Sequence, residues 1–171
     1  VGNVRIEENQ IDVGGDGIYF YGYEVGEDLY DNSSFSMGHI LVNDNTIISG
    51  YYGIYVDFEY FGYYMYSNSS FSMCNIEFSG NTINSTDYGI YISYLYEFGY
   101  EMYDDASFVM GDILANNNNI TSGQEGIYVD YLEYFGTYMY GNSSFTMGNI
   151  EFSGNIINST YYGIYIYELY E

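Results

Sequence analysis

Acid–base, nucleophilic or metal chemistry needs a small set of side chains, and this chain supplies them very unevenly. It has one histidine (His39), one cysteine (Cys74), one arginine (Arg5) and no lysine, against 24 aspartates and glutamates. His39 stands at a position that recurs elsewhere as Asn75, Asp112 and Asn149, and Cys74 at one that recurs as Gly38, Gly111 and Gly148. Both therefore read as variants of structural positions, not as a general base and a reactive thiol. Carboxylates remain. Glu97 with Glu101, or Asp104 with Asp105, are of the type that hydrolyses glycosides in pairs, and the same four are the candidate ligands for calcium, which takes carboxylate oxygens. Each lies inside a repeat, whereas a catalytic site normally interrupts one. The expectation is that the chain is not an enzyme and has no cofactor and no dedicated metal site, with calcium the candidate ion should those four acids bind one.

The acids gather in recurring clusters: Glu24, Glu27, Asp28 and Asp31; Asp57 and Glu59; Glu97, Glu101, Asp104 and Asp105; Asp130 and Glu133. In the repeat, Glu24 and Glu133 are matched by Tyr60 and Tyr96, so most acidic columns are staggered and a solvated acidic face is the simpler expectation. Gly14-Gly15-Asp16-Gly17 resembles a fragment of a calcium nonapeptide but occurs once. Six Asn-x-Ser/Thr sequons begin at Asn32, Asn68, Asn84, Asn119, Asn142 and Asn158, which makes glycans candidate partners if the protein is secreted. The 27 tyrosines are explained by core packing, stacking between layers and edge hydrogen bonds, without redox chemistry.

Composition narrows the partners. A net charge of -23 with a single basic side chain leaves nothing to neutralise phosphate, which excludes a nucleic-acid surface, an anionic membrane surface or a conventional nucleotide site. No apolar run approaches the roughly 20 residues of a membrane-spanning helix. One cysteine cannot form an intrachain disulfide, and an aromatic content of 22% is foreign to disordered acidic tails. The first residue is Val1, which reads as the start of a processed chain.

What must position these residues is a repeat. Gly-Ile-Tyr begins at Gly17, Gly53, Gly89, Gly126 and Gly163, at steps of 36, 36, 37 and 37 residues, so residues 1–171 form a single array without separate domains. Eight residues before each of these glycines stands Asn9, Asn45, Asn81, Asn118 or Asn155, and six before stands Ile11, Ile47, Ile83, Ile120 or Ile157. Phe35, Phe71, Phe108 and Phe145 keep the same beat, each followed two residues on by Met37, Met73, Met110 or Met147. A second glycine column, Gly26, Gly62, Gly99 and Gly136, comes nine residues after the first in early repeats and ten in later ones. The extra residue thus falls between these columns, where a bulge can absorb it. Asn68–Ile92 and Asn142–Ile166 are nearly identical, which marks a two-coil duplication unit.

Dense Gly, Asn, Ser and Ile disfavour helix. Ile90, Ile92, Tyr94, Tyr96, Phe98, Tyr100 and Met102 form one alternating, apolar or aromatic face, as in a strand. Phe71, Met73, Ile76, Phe78, Asn81 and Ile83 advance by steps of two and three, the threes falling at turn-prone residues, as in short strands joined by corners. The fold these patterns imply is all-β: a parallel β-solenoid or β-arch stack of about five coils, in which the Phe, Ile and Asn columns become ladders at about 4.8 Å spacing. An antiparallel meander with two strands per repeat is the alternative.

The run NIEFSGNTINSTDYGIYI (Asn75–Ile92), repeated through the chain, resembles the coils of parallel β-helix repeat proteins on microbial and particularly archaeal cell surfaces. Those coils are shorter, which makes YLYEFGYEMY (Tyr94–Tyr103) an extension. In composition and architecture the chain is also similar to the hoop-forming sheath proteins of filamentous methanogens. These resemblances imply an extracellular or cell-surface structural protein whose partners are copies of itself, joined edge to edge as a filament, sheath or surface layer. Neither terminal repeat shows a capping element, in keeping with that expectation. The other function the resemblance admits is a monomeric surface β-helix that binds or cleaves polysaccharide.

Overall fold

Between one Gly-Ile-Tyr and the next, the chain makes a circuit of five short strands. A computed structural model describes residues 1–169. In it, one circuit runs through Ile76–Ser79, Thr82–Ser85, Ile90–Tyr96, Glu101–Met102 and Ser107–Met110, and returns at Ile113–Asn116 beside its own start. We number the five resulting sheets 1 to 5 in that order. Sheets 1 to 3 hold five strands each and sheets 4 and 5 hold four, so the stack makes about four turns, with the coil anchored by Gly163 contributing three strands among the described residues. Every strand pairing among them is parallel and joins residues one repeat apart, for example Phe71 with Phe108 and Ile83 with Ile120. The molecule is a parallel β-solenoid, and the antiparallel meander is excluded.

Corners form where the inward step lengthens from two to three. Inward side chains then line one continuous core: Phe71, Ile76, Phe78, Ile83, Phe108, Ile113 and Ile120 are all at most 1% exposed. Phe35, Phe71, Phe108 and Phe145 stack with ring centroids 5.1, 4.8 and 5.0 Å apart. Ile47, Ile83 and Ile120 form a second buried column, which Ile11 and Ile157 extend, partly covered, at the two ends. The glycine of Gly-Ile-Tyr is fixed by this closeness. A Cβ on Gly89 would overlap Ile120 Cγ2 and lie 2.5 Å from the carbonyl oxygen of Gly126 in the next coil.

One stretch departs from the expected alternation. Ile90 and Ile92 point inward, but Tyr94, Tyr96 and Tyr100 lie at the surface, and Leu95 enters the core at 1% exposure. Ser93 is the cause. The register against the preceding coil slips between Ile92 and Tyr94, so the extra residue of the longer coils is a bulge that reverses which side chains face in. Beyond it, Glu97 and Gly99 both adopt φ of +57°, turning the chain so that Phe98 and Met102 re-enter the core.

The asparagine column solves the problem of a polar group in an apolar stack. Asn45, Asn81 and Asn118 are buried to within 1%. Asn81 Oδ1 accepts from both the backbone N–H and the Nδ2 of Asn45, at 3.0 and 3.1 Å, while its own Nδ2 donates to Val42 O at 2.7 Å and Asn118 Oδ1 at 3.0 Å. The pattern runs from Asn9, through Asn45, Asn81 and Asn118, to Asn155, whose Nδ2 donates to Ala115 O. The amides of Asn45, Asn81 and Asn118 are thus saturated by neighbours above and below.

An apolar side chain at Asn81 would strand two donors of Asn45 and remove the amide donor from the Val42 carbonyl, while Asn118 Oδ1 would keep only the backbone N–H of residue 81. Asn81→Leu is expected to destabilise the fold by about 3 kcal/mol, a fall in Tm of roughly 6–12 °C. Thermal unfolding followed by circular dichroism checks this; an unchanged Tm would show that the ladder contributes nothing net.

Candidate functional site: the tyrosine and carboxylate face

Outward positions on sheets 3 and 4 carry tyrosine in nearly every coil, and the parallel register places each ring over the next. Tyr19, Tyr55, Tyr91, Tyr128 and Tyr165 form a column with centroid spacings of 4.8, 5.1, 5.1 and 5.4 Å and interplanar angles of 12°, 21°, 6° and 9°. Tyr30, Tyr66, Tyr103 and Tyr140 form a second, spaced at 5.1, 4.9 and 4.7 Å. Stacking of this kind covers the ring faces and leaves edges and hydroxyls outward.

Carboxylates lie among these phenols. Tyr30 donates to Asp28 at 3.2 Å, Tyr103 to Glu101 at 3.2 Å and Tyr55 to Asp57 at 3.4 Å. Asp130 accepts twice: from Tyr91 at Oδ2 and from Tyr128 at Oδ1, both at 3.0 Å, although the two tyrosines belong to successive coils. Burial, reinforced by neighbouring acids, raises most of these phenols; that of Tyr55 is pushed up to about 12, chiefly by desolvation.

At the end of each sheet 3 strand the acids form a checkerboard. One column reads Tyr23, Glu59, Tyr96, Glu133, and the next, where the backbone turns through positive φ, reads Glu24, Tyr60, Glu97, Tyr134. The alternation keeps carboxylates from stacking one coil apart, where like charges would repel at about 4.8 Å. Tyrosines meet edge to face in the gaps, with Tyr23 and Tyr60 at 5.1 Å and Tyr96 and Tyr134 at 5.4 Å. Tyr170 and Glu171 continue the order in the sequence but lie outside the described residues.

The four candidate metal ligands are dispersed along this corner. Glu97 is 9% exposed, Glu101 is bonded to Tyr103, and Asp104 and Asp105 occupy an exposed turn with φ of 50° and 65°. Among the described residues, no group of three or more His, Cys, Asp or Glu side chains is placed to hold a metal. His39 does what its asparagine equivalents do. Its Nδ1 accepts from Asn75 N–H at 3.3 Å, as Asn75 Oδ1 accepts from Asp112 N–H at 3.0 Å. Cys74 is an exposed free thiol at a corner. Asn32, Asn68 and Asn142 sit exposed in turns, and Asn84, Asn119 and Asn158 are exposed on sheet 2. Sequence reasoning missed the bridge made by Asp130. Its one signal was the extra residue of the longer coils, because Asp130 is that residue, unpaired between Val129 and Tyr131 in the ladder.

Comparison of the chain with protein-family models, with curated proteins and with solved structures finds no match. The class it belongs to is set by its fold, a parallel β-solenoid with an acidic, tyrosine-laddered exterior.

Burial raises the carboxyl groups of Asp57, Glu59, Glu97 and Glu133; the neighbouring acids Asp57, Glu59 and Glu168 add to this at Glu59, Glu97 and Glu133 respectively. Asp57 Oδ1 is also buried without a partner. Each group holds its proton more tightly folded than unfolded. Folding is therefore favoured as pH falls through these raised values towards the ordinary carboxylate range, and that stabilisation is lost as pH rises through them. Tm at low salt is expected to be higher at about pH 5 than at about pH 8, with the gap narrowing at high salt as the exposed charges are screened. A Tm that falls steadily on acidification would contradict the assignment.

Proposed function

We propose that the protein is structural: an extracellular subunit that joins copies of itself, through the edges of its outermost coils, into a filament, sheath or surface layer. The observation that carries this reading is the continuity of the ladders. All five sheets stay in register through the described stack, and the inward Phe, Ile and Asn columns recur from coil to coil. A uniform stack is suited to length and stiffness.

The coils at the two ends of the described stack leave core columns uncovered. Ile164, Ile166 and Leu169 are 43%, 45% and 69% exposed, although their column mates Ile127, Val129 and Leu132 are at most 2% exposed. At the opposite end Gly22 occupies the column of Phe58, Leu95 and Leu132, beside an open hollow of about 290 Å³ lined by Val4, Phe20, Val25, Phe35 and Met37. Apolar side chains and unpaired strand edges of this spacing are satisfied by a further coil of the same kind, whether it belongs to the same chain or to another copy. All strands run parallel, so copies added this way form a polar stack. Polysaccharide recognition is less well supported, because the stacked tyrosines turn their edges outward and offer no open ring face for a sugar.

Electron microscopy and fibre diffraction of the full chain test the proposal. Ordered fibres or sheets with a reflection at about 4.8 Å along the axis are expected, and Ile166→Asp with Leu169→Asp should shift the chain to small soluble species without loss of β signal. Dispersed monomers of the unsubstituted chain under all conditions of pH and salt would overturn it.

A further inference from the structure

Tyr91, Asp130 and Tyr128 form an arrangement that ladder packing does not require. A stack maintained by repetition alone would place the same residue at the bulge of each coil, yet this position is Ser93 in one coil, Asp130 in the next and Tyr167 in the last. Ser93 offers a single hydroxyl to Tyr55 and Tyr91, whereas Asp130 is a carboxylate that joins two phenols of successive coils through its two oxygens, each at 3.0 Å. Those two rings are stacked 5.1 Å apart and 6° from parallel, the most nearly parallel pair of their column. We infer that Tyr91, Asp130 and Tyr128 are a proton-coupled oxidation site. It gives up one electron to a one-electron oxidant from solution, such as a high-potential metal complex or a peroxidase-generated radical, and the tyrosine column carries the resulting hole.

The steps balance. Tyr128 transfers an electron to the oxidant, which is reduced; the phenol O–H bond breaks and its proton bonds to Asp130 Oδ1, leaving a neutral phenoxyl radical and a carboxylic acid. An electron then passes from Tyr91 to the Tyr128 radical. Tyr128 regains its proton from Oδ1 while the Tyr91 proton moves to Oδ2, so the hole shifts by one coil and no net charge moves through the carboxylate. The next transfer is to Tyr55, 5.1 Å from Tyr91, whose phenol bonds to Asp57.

Burial raises the phenols of both Tyr91 and Tyr128, so each holds its proton at neutral pH and cannot be oxidised to a neutral radical without an acceptor for it. A carboxylate already bonded to the phenol supplies that acceptor with no diffusional step. The core also holds the thioethers of Met65 and Met102, carried by sheet 4 and both 0% exposed, and oxidation to sulfoxides would disrupt it. An outer column that takes up oxidising equivalents first spares them.

The probe is a photogenerated ruthenium(III) tris-bipyridine oxidant mixed with the full chain, with oxidation at Tyr91 and Tyr128 followed in time by peptide mass spectrometry, which separates them from the other tyrosines; the rate measured is that of this pair. In the unsubstituted protein the rate should be independent of the concentration of buffer base. Asp130→Asn keeps the size of the side chain and removes the proton acceptor; it should slow oxidation by about tenfold or more and make the rate depend on buffer base. Asp112→Asn removes the same charge at a position that is Asn in neighbouring coils, and should leave the rate unchanged. Equal rates for Asp130→Asn and the unsubstituted chain would overturn the site. So would a buffer-dependent rate in the unsubstituted chain, which needs no variant to fold.

Discussion

The backbone hydrogen bonds between parallel strands set the spacing from one coil to the next at about 4.8 Å, and every other feature of the molecule answers to that distance. Because the strands pair one repeat apart, each side chain has as its nearest neighbours the residues at its own position in the coils above and below. The sequence is thereby selected for residues that tolerate their own company. Phenylalanine and isoleucine do so by packing, asparagine by accepting from the asparagine on one side and donating to the one on the other, and tyrosine by stacking on the outer face. Glycine stands in Gly-Ile-Tyr because the isoleucine and the carbonyl oxygen of the next coil leave no room for a Cβ.

Carboxylates are the residues least suited to this arrangement, and with a net charge of -23 the chain carries many. They are accommodated by offset. Glutamate and tyrosine exchange places between successive coils in two adjoining columns, Tyr23, Glu59, Tyr96, Glu133 and Glu24, Tyr60, Glu97, Tyr134, so a charge has phenols above and below it. This alternation gives a physical reason for a duplication unit of two coils, since a one-coil unit would place every acid over another. The cost remains visible in the raised carboxyl groups of Asp57, Glu59, Glu97 and Glu133, whose surroundings favour the neutral form.

Single extra residues break the translational symmetry, and the structure's least repetitive chemistry is found there. Ser93 and Asp130 occupy equivalent bulges, but only the second is a carboxylate, able to take a proton from the phenols of two coils. A bulge is the least costly place to introduce a side chain that the ladder does not dictate.

Much of the fold was legible in the chain. The 36- and 37-residue steps gave the coil length, and the steps of two and three from Phe71 to Ile83 gave the corners. The fixed offset of Asn9, Asn45, Asn81, Asn118 and Asn155 from the glycines placed them in one column. In a parallel stack the repeat in sequence is the neighbour list in space, so these contacts are written in the primary structure. The tertiary structure decided the consequences of local departures from the repeat. Reading Tyr94, Tyr96 and Tyr100 as inward assumed unbroken alternation, and only the position of the bulge at Ser93 shows that Leu95 enters the core instead. The bond between Tyr91 and Asp130 spans 39 residues, two more than that coil's repeat. It combines the step between coils with the bulge and the reach of two side chains, and periodicity specifies only the first of these.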